Sequence, residues 1–159
     1  MLNISICEDE KIQADELEKM IKEKLNSINI DYSIQKFSSG EELLSDYKDP
    51  DIIFLDIKMS KLSGMDTARK IRENDKNMEI IFITSLVDYI SDGYEVRAYR
   101  YLLKPVDEDV VAKHLKSCIK DVEESKGKYL VVKSDDGIKK IYQRDILYIE
   151  VLNRKAIIH

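Results

Sequence analysis

Five short apolar runs, each followed by a helix-like stretch, fill residues 1–124 and leave few folds open to the chain. The runs Leu2–Cys7, Tyr32–Phe37, 51–55, 79–83 and 99–103 have the length and composition of strands. Residues 51–55 are almost continuously apolar, as in a strand buried on both faces. Between the runs the period changes to that of a helix. Ala14, Leu17, Met20, Ile21 and Leu25 share one face of 12–28. Ser38-Ser39-Gly40-Glu41 opens a helix carrying Leu43, Leu44 and Tyr47; 60–64 is a loop; 66–73 turns Ala68 and Ile71 inward; 88–96 is weakly patterned but helical. In 107–124, Val110, Val111, His114, Leu115, Cys118, Ile119 and Val122 form one stripe. Strands alternating with helices predict an α/β fold, a doubly wound parallel sheet with helices on both faces.

The rhythm breaks at Ser125-Lys126-Gly127. The runs 129–133, 138–142, 146–150 and 156–158 read as short strands, with Asp135-Asp136-Gly137 as a hairpin turn. The economical division is a first domain over 1–124 and, over 125–159, a linker with a truncated all-β segment. Charge divides the same way. Residues 128–159 carry a net of +3 and the rest −8, giving −5 for the chain. A net of +3 over a short segment is also ordinary surface.

No stretch approaches the roughly 18 apolar residues of a membrane helix. MLNISICEDE meets acids at once and has no basic region of a signal peptide. A cytoplasmic protein without a membrane partner is expected. Cys7 and Cys118 lie far apart in apolar patterns and are expected as buried free thiols. The five glycines form no GxGxxG or P-loop, which argues against an ATP-binding enzyme. His114 is read as a core-edge residue.

Polar groups stand where the apolar runs end: Glu8 and Asp9, Asp56, Thr84 and Lys104. Singly, each has a plain role: a helix cap, a turn former, a second cap with Ser85, a solvated charge. In an open α/β sheet, however, the carboxyl ends of the strands meet at one edge, where ligands bind. A carboxylate is a poor nucleophile towards a phosphoryl donor until a cation offsets the charge repulsion. Mg²⁺ takes about six oxygens, several usually from water. Asp9 and Asp56 could each give one, Glu8 could hold a bound water, and a carbonyl just past Asp56, such as that of Lys58, could add another. Lys104 would face the phosphoryl group as a point charge, and the Thr84 hydroxyl would donate to it. Asp56 is the group to be phosphorylated.

The segments Cys7-Glu8-Asp9-Glu10, Ile53-Phe54-Leu55-Asp56-Ile57-Lys58-Met59, Phe82-Ile83-Thr84-Ser85 and Tyr101-Leu102-Leu103-Lys104-Pro105-Val106 resemble the receiver domain of two-component response regulators. The resemblance covers about residues 1–124. It implies a flavodoxin-like, CheY-like five-stranded sheet of order 2-1-3-4-5. It implies that Asp56 accepts phosphoryl from a sensor histidine kinase, with Mg²⁺ among Glu8, Asp9, Asp56 and the Lys58 carbonyl. Thr84 is then the switch hydroxyl, Tyr101 the aromatic that swings inward, and Lys104 the phosphate-facing cation. Tyr101 and Lys104 are an odd number of residues apart, so the tyrosine is expected to report from the outer surface. A cis Lys104–Pro105 bond and a homodimer on phosphorylation are also expected.

Two positions depart from the pattern. Glu8 replaces a commoner Asp, and Ser60 replaces a common proline and should only loosen its loop. The segments 129–133 and 145–150 resemble the start of a LytTR DNA-binding domain, as in LytR-like transcriptional regulators. The parent protein would then bind DNA through the full-length C-terminal domain; this fragment is not expected to. The chain is expected to be a phosphoacceptor rather than an enzyme. Rival readings are a receiver acting only through protein partners, and an aspartyl-phosphate hydrolase of the haloacid-dehalogenase type. The second fits poorly: its nucleophile lies near the N-terminus with another Asp two residues on, and its acid pair comes last. Here Lys58 stands two after Asp56, and the acid pair comes first.

Overall fold

The computed structural model describes residues 1–46, 49–86, 88–127, 129–134, 137–143, 146–152 and 155–159. The strands β1 (Leu2–Cys7), β2 (Tyr32–Phe37), β3 (Ile52–Leu55), β4 (Glu79–Thr84) and β5 (Arg100–Leu103) form one sheet in the order β2-β1-β3-β4-β5. All four pairings are parallel. The helices between them are α1 (Lys11–Ser27), α2 (Gly40–Ser45), α3 (Gly64–Asn74) and α4 (Ile90–Glu95), and α5 (Glu108–Gly127) follows β5. This is the expected doubly wound α/β fold.

Every residue of β3 is buried. Ile53, Leu55, Ile80 and Phe82 pack in one cluster with Leu43 of α2, Met65, Ala68 and Ile71 of α3, and Val96. The alternating residues Ile52, Phe54, Ile81 and Ile83 are just as buried, so the second face of the sheet is covered too. Each such side chain contributes about 1.5–3 kcal/mol relative to exposure, so a central strand that reads as unbroken apolar sequence fixes the middle of the fold.

Local chemistry sets the helix ends. Ala14, Leu17, Ile21 and Leu25 are the buried stripe of α1. The helix stops where Asn29 takes φ 54°, the left-handed region, and the Ile30 amide turns back to the Leu25 carbonyl. Ser39 caps α2 by accepting from the Glu42 amide, and the Glu42 carboxylate accepts from the Ser38 amide and hydroxyl. Ser63 caps α3 by accepting from the Asp66 amide.

The chain divides into two compact units, Met1–Cys118 and Ile119–His159. This division falls inside α5, which is one continuous helix through residue 124. It also runs through Ser125-Lys126-Gly127, which the composition marks as a break. The Ser125 hydroxyl donates to the Val122 carbonyl, and Lys126 lies in the last turn, where a cation suits the helix dipole. Val111, Leu115, Cys118, Ile119 and Val122 are buried, but Val110 at the head of the expected stripe is exposed.

The second unit holds two antiparallel hairpins, β6 (Tyr129–Ser134) with β7 (Gly137–Tyr142), and β8 (Ile149–Leu152) with β9 (Lys155–Ile158). Asp135 and Asp136 of the expected turn lie outside the described residues, as does Tyr47 of the expected second helix; Gly137 has φ 119°. β8 begins three residues later than the expected start at 146. The Ile146 amide bonds the Gln143 carbonyl in a turn, and Leu147 and Tyr148 meet His159 outside the regular ladder. Val131, Leu147, Val151 and Leu152 are exposed. Among the described residues no helix is long and apolar enough to cross a membrane.

Candidate functional site

The register brings the strand ends to one line. Cys7 pairs with Leu55, Leu55 with Phe82, and Thr84 with Leu103. Backbone bonds carry this alignment one residue further: the Glu8 amide donates to Phe37 O, the Asp56 amide to Cys7 O, and the Lys104 amide to Thr84 O. Glu8, Asp56 and Lys104 therefore leave the sheet side by side. A carboxylate oxygen from each of Glu8, Asp9 and Asp56 lies within 4.8 Å of the others. Glu8 and Asp56 are each only 6% exposed, and Asp9 is more open.

Lys104 Nζ sits between two of these acids, 2.6 Å from Glu8 Oε2 and 2.8 Å from Asp56 Oδ2. The Lys104–Pro105 bond is cis, as expected. Backbone amides hold other carboxylate oxygens. Glu10 N–H reaches Glu8 Oε1, Lys58 N–H reaches Asp56 Oδ1 at 3.1 Å, and Ser60 N–H reaches Asp9 Oδ2 at 2.9 Å. Ser60 thus ties its loop to the acid cluster, where a merely looser loop was expected. Burial pushes the Glu8 carboxyl above its usual range, and the negative Asp56 adds to this; the hydrogen bond from Lys104 only partly offsets them. Burial pulls the Lys104 ammonium down, but its hydrogen bonds to Asp56 and Glu8 outweigh that and hold it above its ordinary value. Beneath the site, Cys7 is a buried free thiol raised to about 12, first by burial and then by nearby carboxylates. Cys118 is also buried and in no disulfide.

Thr84 is fully buried at the end of β4, and its Oγ1 accepts from the Leu86 amide at 3.3 Å. Tyr101 does not stand on the outer surface. Its ring is half-buried, 5.9 Å from Phe82, because the two are register partners on adjacent strands. Its hydroxyl donates to the Leu86 carbonyl. Thr84 and Tyr101 thus hold the amide and the carbonyl of the same residue. His114 is partly buried, and burial lowers its imidazole pKa, in keeping with a core-edge role.

Three contributors escaped the sequence reading: Ser60, Leu86 and Gly64. A Cβ on Gly64 would lie 1.9 Å from Asp56 O, so only glycine lets the start of α3 approach the site this closely. Its amide donates to Ile57 O. The weak signal was a glycine following the capping Ser63. An all-oxygen set of three carboxylates suits a hard divalent cation such as Mg²⁺.

Residues 4–116 match the family model of the response regulator receiver domain. The chain is 37% identical over 112 residues to the sensory transduction protein LytT of Oceanobacillus iheyensis, a match covering 68% of this chain and 44% of that protein. The LytT protein of Bacillus cereus aligns over 98% of the chain at 28% identity, covering 68% of its own length. The chain spans about half the length of the first curated relatives it matches. Among solved structures, the response regulatory domain of mrkE from Klebsiella pneumoniae superposes with a TM-score of 0.70 at 27% identity, over 77% of this chain and 99% of that one. The response regulator TrrA from Thermotoga maritima, in complex with Mg(2+)-BeF, gives 0.60 at 29% identity, over 74% and 99%.

Proposed function

The chain belongs to the response regulator receiver domain family, and on that premise we propose that it is a phosphorylation switch whose acceptor is Asp56. The observation that carries this reading is the Lys104 ammonium bound to Asp56 Oδ2, at an edge where Glu8 and Asp9 complete an acidic cluster. In the proposed step an Asp56 carboxylate oxygen attacks the phosphorus of a phosphohistidine on a sensor kinase. The P–O bond forms as the P–N bond breaks, and the departing imidazole takes up a proton. Mg²⁺, held by Glu8, Asp9, Asp56 and the Lys58 carbonyl, would supply charge neutralisation for the incoming oxygens. Lys104 meets the new negative charge as a preplaced cation. The Thr84 hydroxyl, whose oxygen accepts from the Leu86 amide in the resting state, donates to a phosphoryl oxygen and is drawn towards it. Because Tyr101 holds the same residue, the change at Thr84 is felt at Tyr101 and along α4.

The protein acts as a phosphoacceptor in this scheme, not as an enzyme turning over a separate substrate. The output would be transcriptional, through a LytTR-type domain of which residues 129–159 form the start. The names of the relatives and the antiparallel hairpins support that reading. With Mg²⁺ and acetyl phosphate, the chain should take up one acid-labile phosphoryl group, detected as a mass increase. Asp56→Asn should abolish it; labelling that persists in that variant removes Asp56 from the role.

A further inference from the structure

We infer that Ser60 is a positioning residue for the metal-binding acid Asp9, acting through its backbone amide and not its hydroxyl. The inference rests on the Mg²⁺ reading of the acidic cluster and adds to it a residue outside the acids themselves. Asp9 is more exposed than its two neighbours, and a short exposed carboxylate left alone samples several rotamers. The other two acids are held at both oxygens, Glu8 by Glu10 N–H and Lys104, and Asp56 by Lys58 N–H and Lys104. For Asp9 the hydrogen bond from Ser60 N–H to Oδ2, at 2.9 Å across 51 residues of sequence, does the corresponding work. It leaves Oδ1 as the oxygen to face a cation. Hydrogen bonds of this kind orient metal-binding carboxylates and raise affinity.

The identity of residue 60 matters because the donor is the backbone. A proline has no N–H, so a chain with proline here has no such bond to offer Asp9. The loop that carries Ser60 is itself anchored near the site. Met59 N–H and Gly64 N–H both donate to Ile57 O, and Gly64 abuts the Asp56 carbonyl. Ser60 therefore presents its amide from a loop fixed to Asp56, and Asp9 is set relative to Asp56 by the chain before any ion arrives.

The test compares Mg²⁺ affinity, by titration calorimetry of the whole chain, among wild type, Ser60→Ala, Ser60→Pro and Asp9→Asn. Ser60→Ala keeps the N–H and should bind as wild type does. Ser60→Pro should bind about tenfold more weakly, the lower end of the range for loss of a group that orients a metal ligand. Equal affinity in Ser60→Pro and wild type, or an equal loss in Ser60→Ala and Ser60→Pro, overturns the inference. Asp9→Asn examines the ligand itself: if wild type and Asp9→Asn bind alike, Asp9 does not hold the metal and the inference falls with it. A readout free of metal covers the case in which Ser60→Pro does not fold. In the metal-free chain the Ser60 amide should exchange slowly with deuterium and lose that protection in Asp9→Ala. Unchanged Ser60 exchange in Asp9→Ala shows that the bond is not made in solution.

Discussion

Replacing Lys104 by methionine keeps most of the unbranched stem of the side chain and removes its charge, which exposes what the lysine does for the resting fold. Its ammonium bonds Glu8 Oε2 at 2.6 Å and Asp56 Oδ2 at 2.8 Å, with both acid side chains nearly inaccessible. Removing one partner of a buried ion pair costs about 3–5 kcal/mol. In addition, two carboxylates no more than 4.8 Å apart are left facing each other. At an effective dielectric of about 20 they repel by roughly 3.5 kcal/mol. These terms overlap, and protonation of one acid relieves much of both. A net loss of about 2–4 kcal/mol near pH 8 is therefore expected for Lys104→Met. The sign with pH follows from Glu8. Its carboxyl is already raised above the ordinary 4.5 by burial, and the Lys104 hydrogen bond is what holds it down. In the variant it rises further, so the native state binds more protons than the unfolded chain. Stability of the variant then falls as pH climbs from 4.5 through the raised value. In wild type the lysine's contribution is fully present below 10.5 and fades only as pH passes its raised native value. Urea unfolding followed by circular dichroism, at intervals from pH 5 to 9, should show a deficit that is small at the acid end and grows with pH. Mg²⁺ should restore more stability to the variant than to wild type, because a divalent cation supplies the missing charge. A deficit independent of pH, or a variant that gains less from Mg²⁺ than wild type, would refute the picture of Lys104 as the internal counter-ion.

Gly64→Ala places a methyl group on the Asp56 carbonyl, so the start of α3 must move; a loss of about 1–3 kcal/mol is expected in urea unfolding, and an unchanged midpoint would count against the close approach. Arg72 donates to Val96 O, Met78 O, Asp75 O and Arg97 O, tying the end of α3 to the turns before β4 and after α4. Arg72→Met should cost about 2–4 kcal/mol and speed hydrogen exchange at Ala98 and Tyr99; unaltered exchange there would show that the clamp is not needed. Treatment with beryllofluoride and Mg²⁺ should double the mass in light scattering if phosphorylation drives pairing through 88–96, β5 and α5. A constant mass would remove dimerisation and leave the switch at Thr84 standing.

The parts of the fold visible in sequence are those set by local period and by the ends of apolar runs. β3 could be recognised because burial on both faces leaves no polar position in it. Glu8, Asp56 and Lys104 could be found because a charge after a buried strand has little reason to be there except at an edge. The parts that stayed hidden are contacts made by backbone groups across long separations. Ser60 looks unremarkable until its amide is seen on Asp9, 51 residues away. Tyr101 follows strand parity, but parity does not say that Phe82 and Leu86 would hold its ring half-buried against the core. The end of α5 was obscured because Ser, Lys and Gly serve equally well as a loop or as the last turn of a helix.

The parallel register explains why these residues act as one unit. Lys104 N–H bonds Thr84 O, and Asp56 N–H bonds Cys7 O, so the peptide chain at each strand end is fixed while the side chains beyond it are free to change partners. In the resting arrangement three donors are already turned to the acids: Lys104 to two of them, Lys58 N–H to Asp56 Oδ1, Ser60 N–H to Asp9. Added charge at Asp56 can draw Lys104 away from Glu8, or draw towards it the Thr84 hydroxyl, whose oxygen accepts from the Leu86 amide. The first exchange is confined to the acid cluster. The second moves a group bonded to Leu86, the residue that Tyr101 also holds, and it is the one with a route along the chain into α4. A switch read out at the α4 surface thus runs through the Thr84 hydroxyl, and Thr84→Val, which keeps the shape but neither donates nor accepts, should take up phosphoryl on Asp56 without the change in mass.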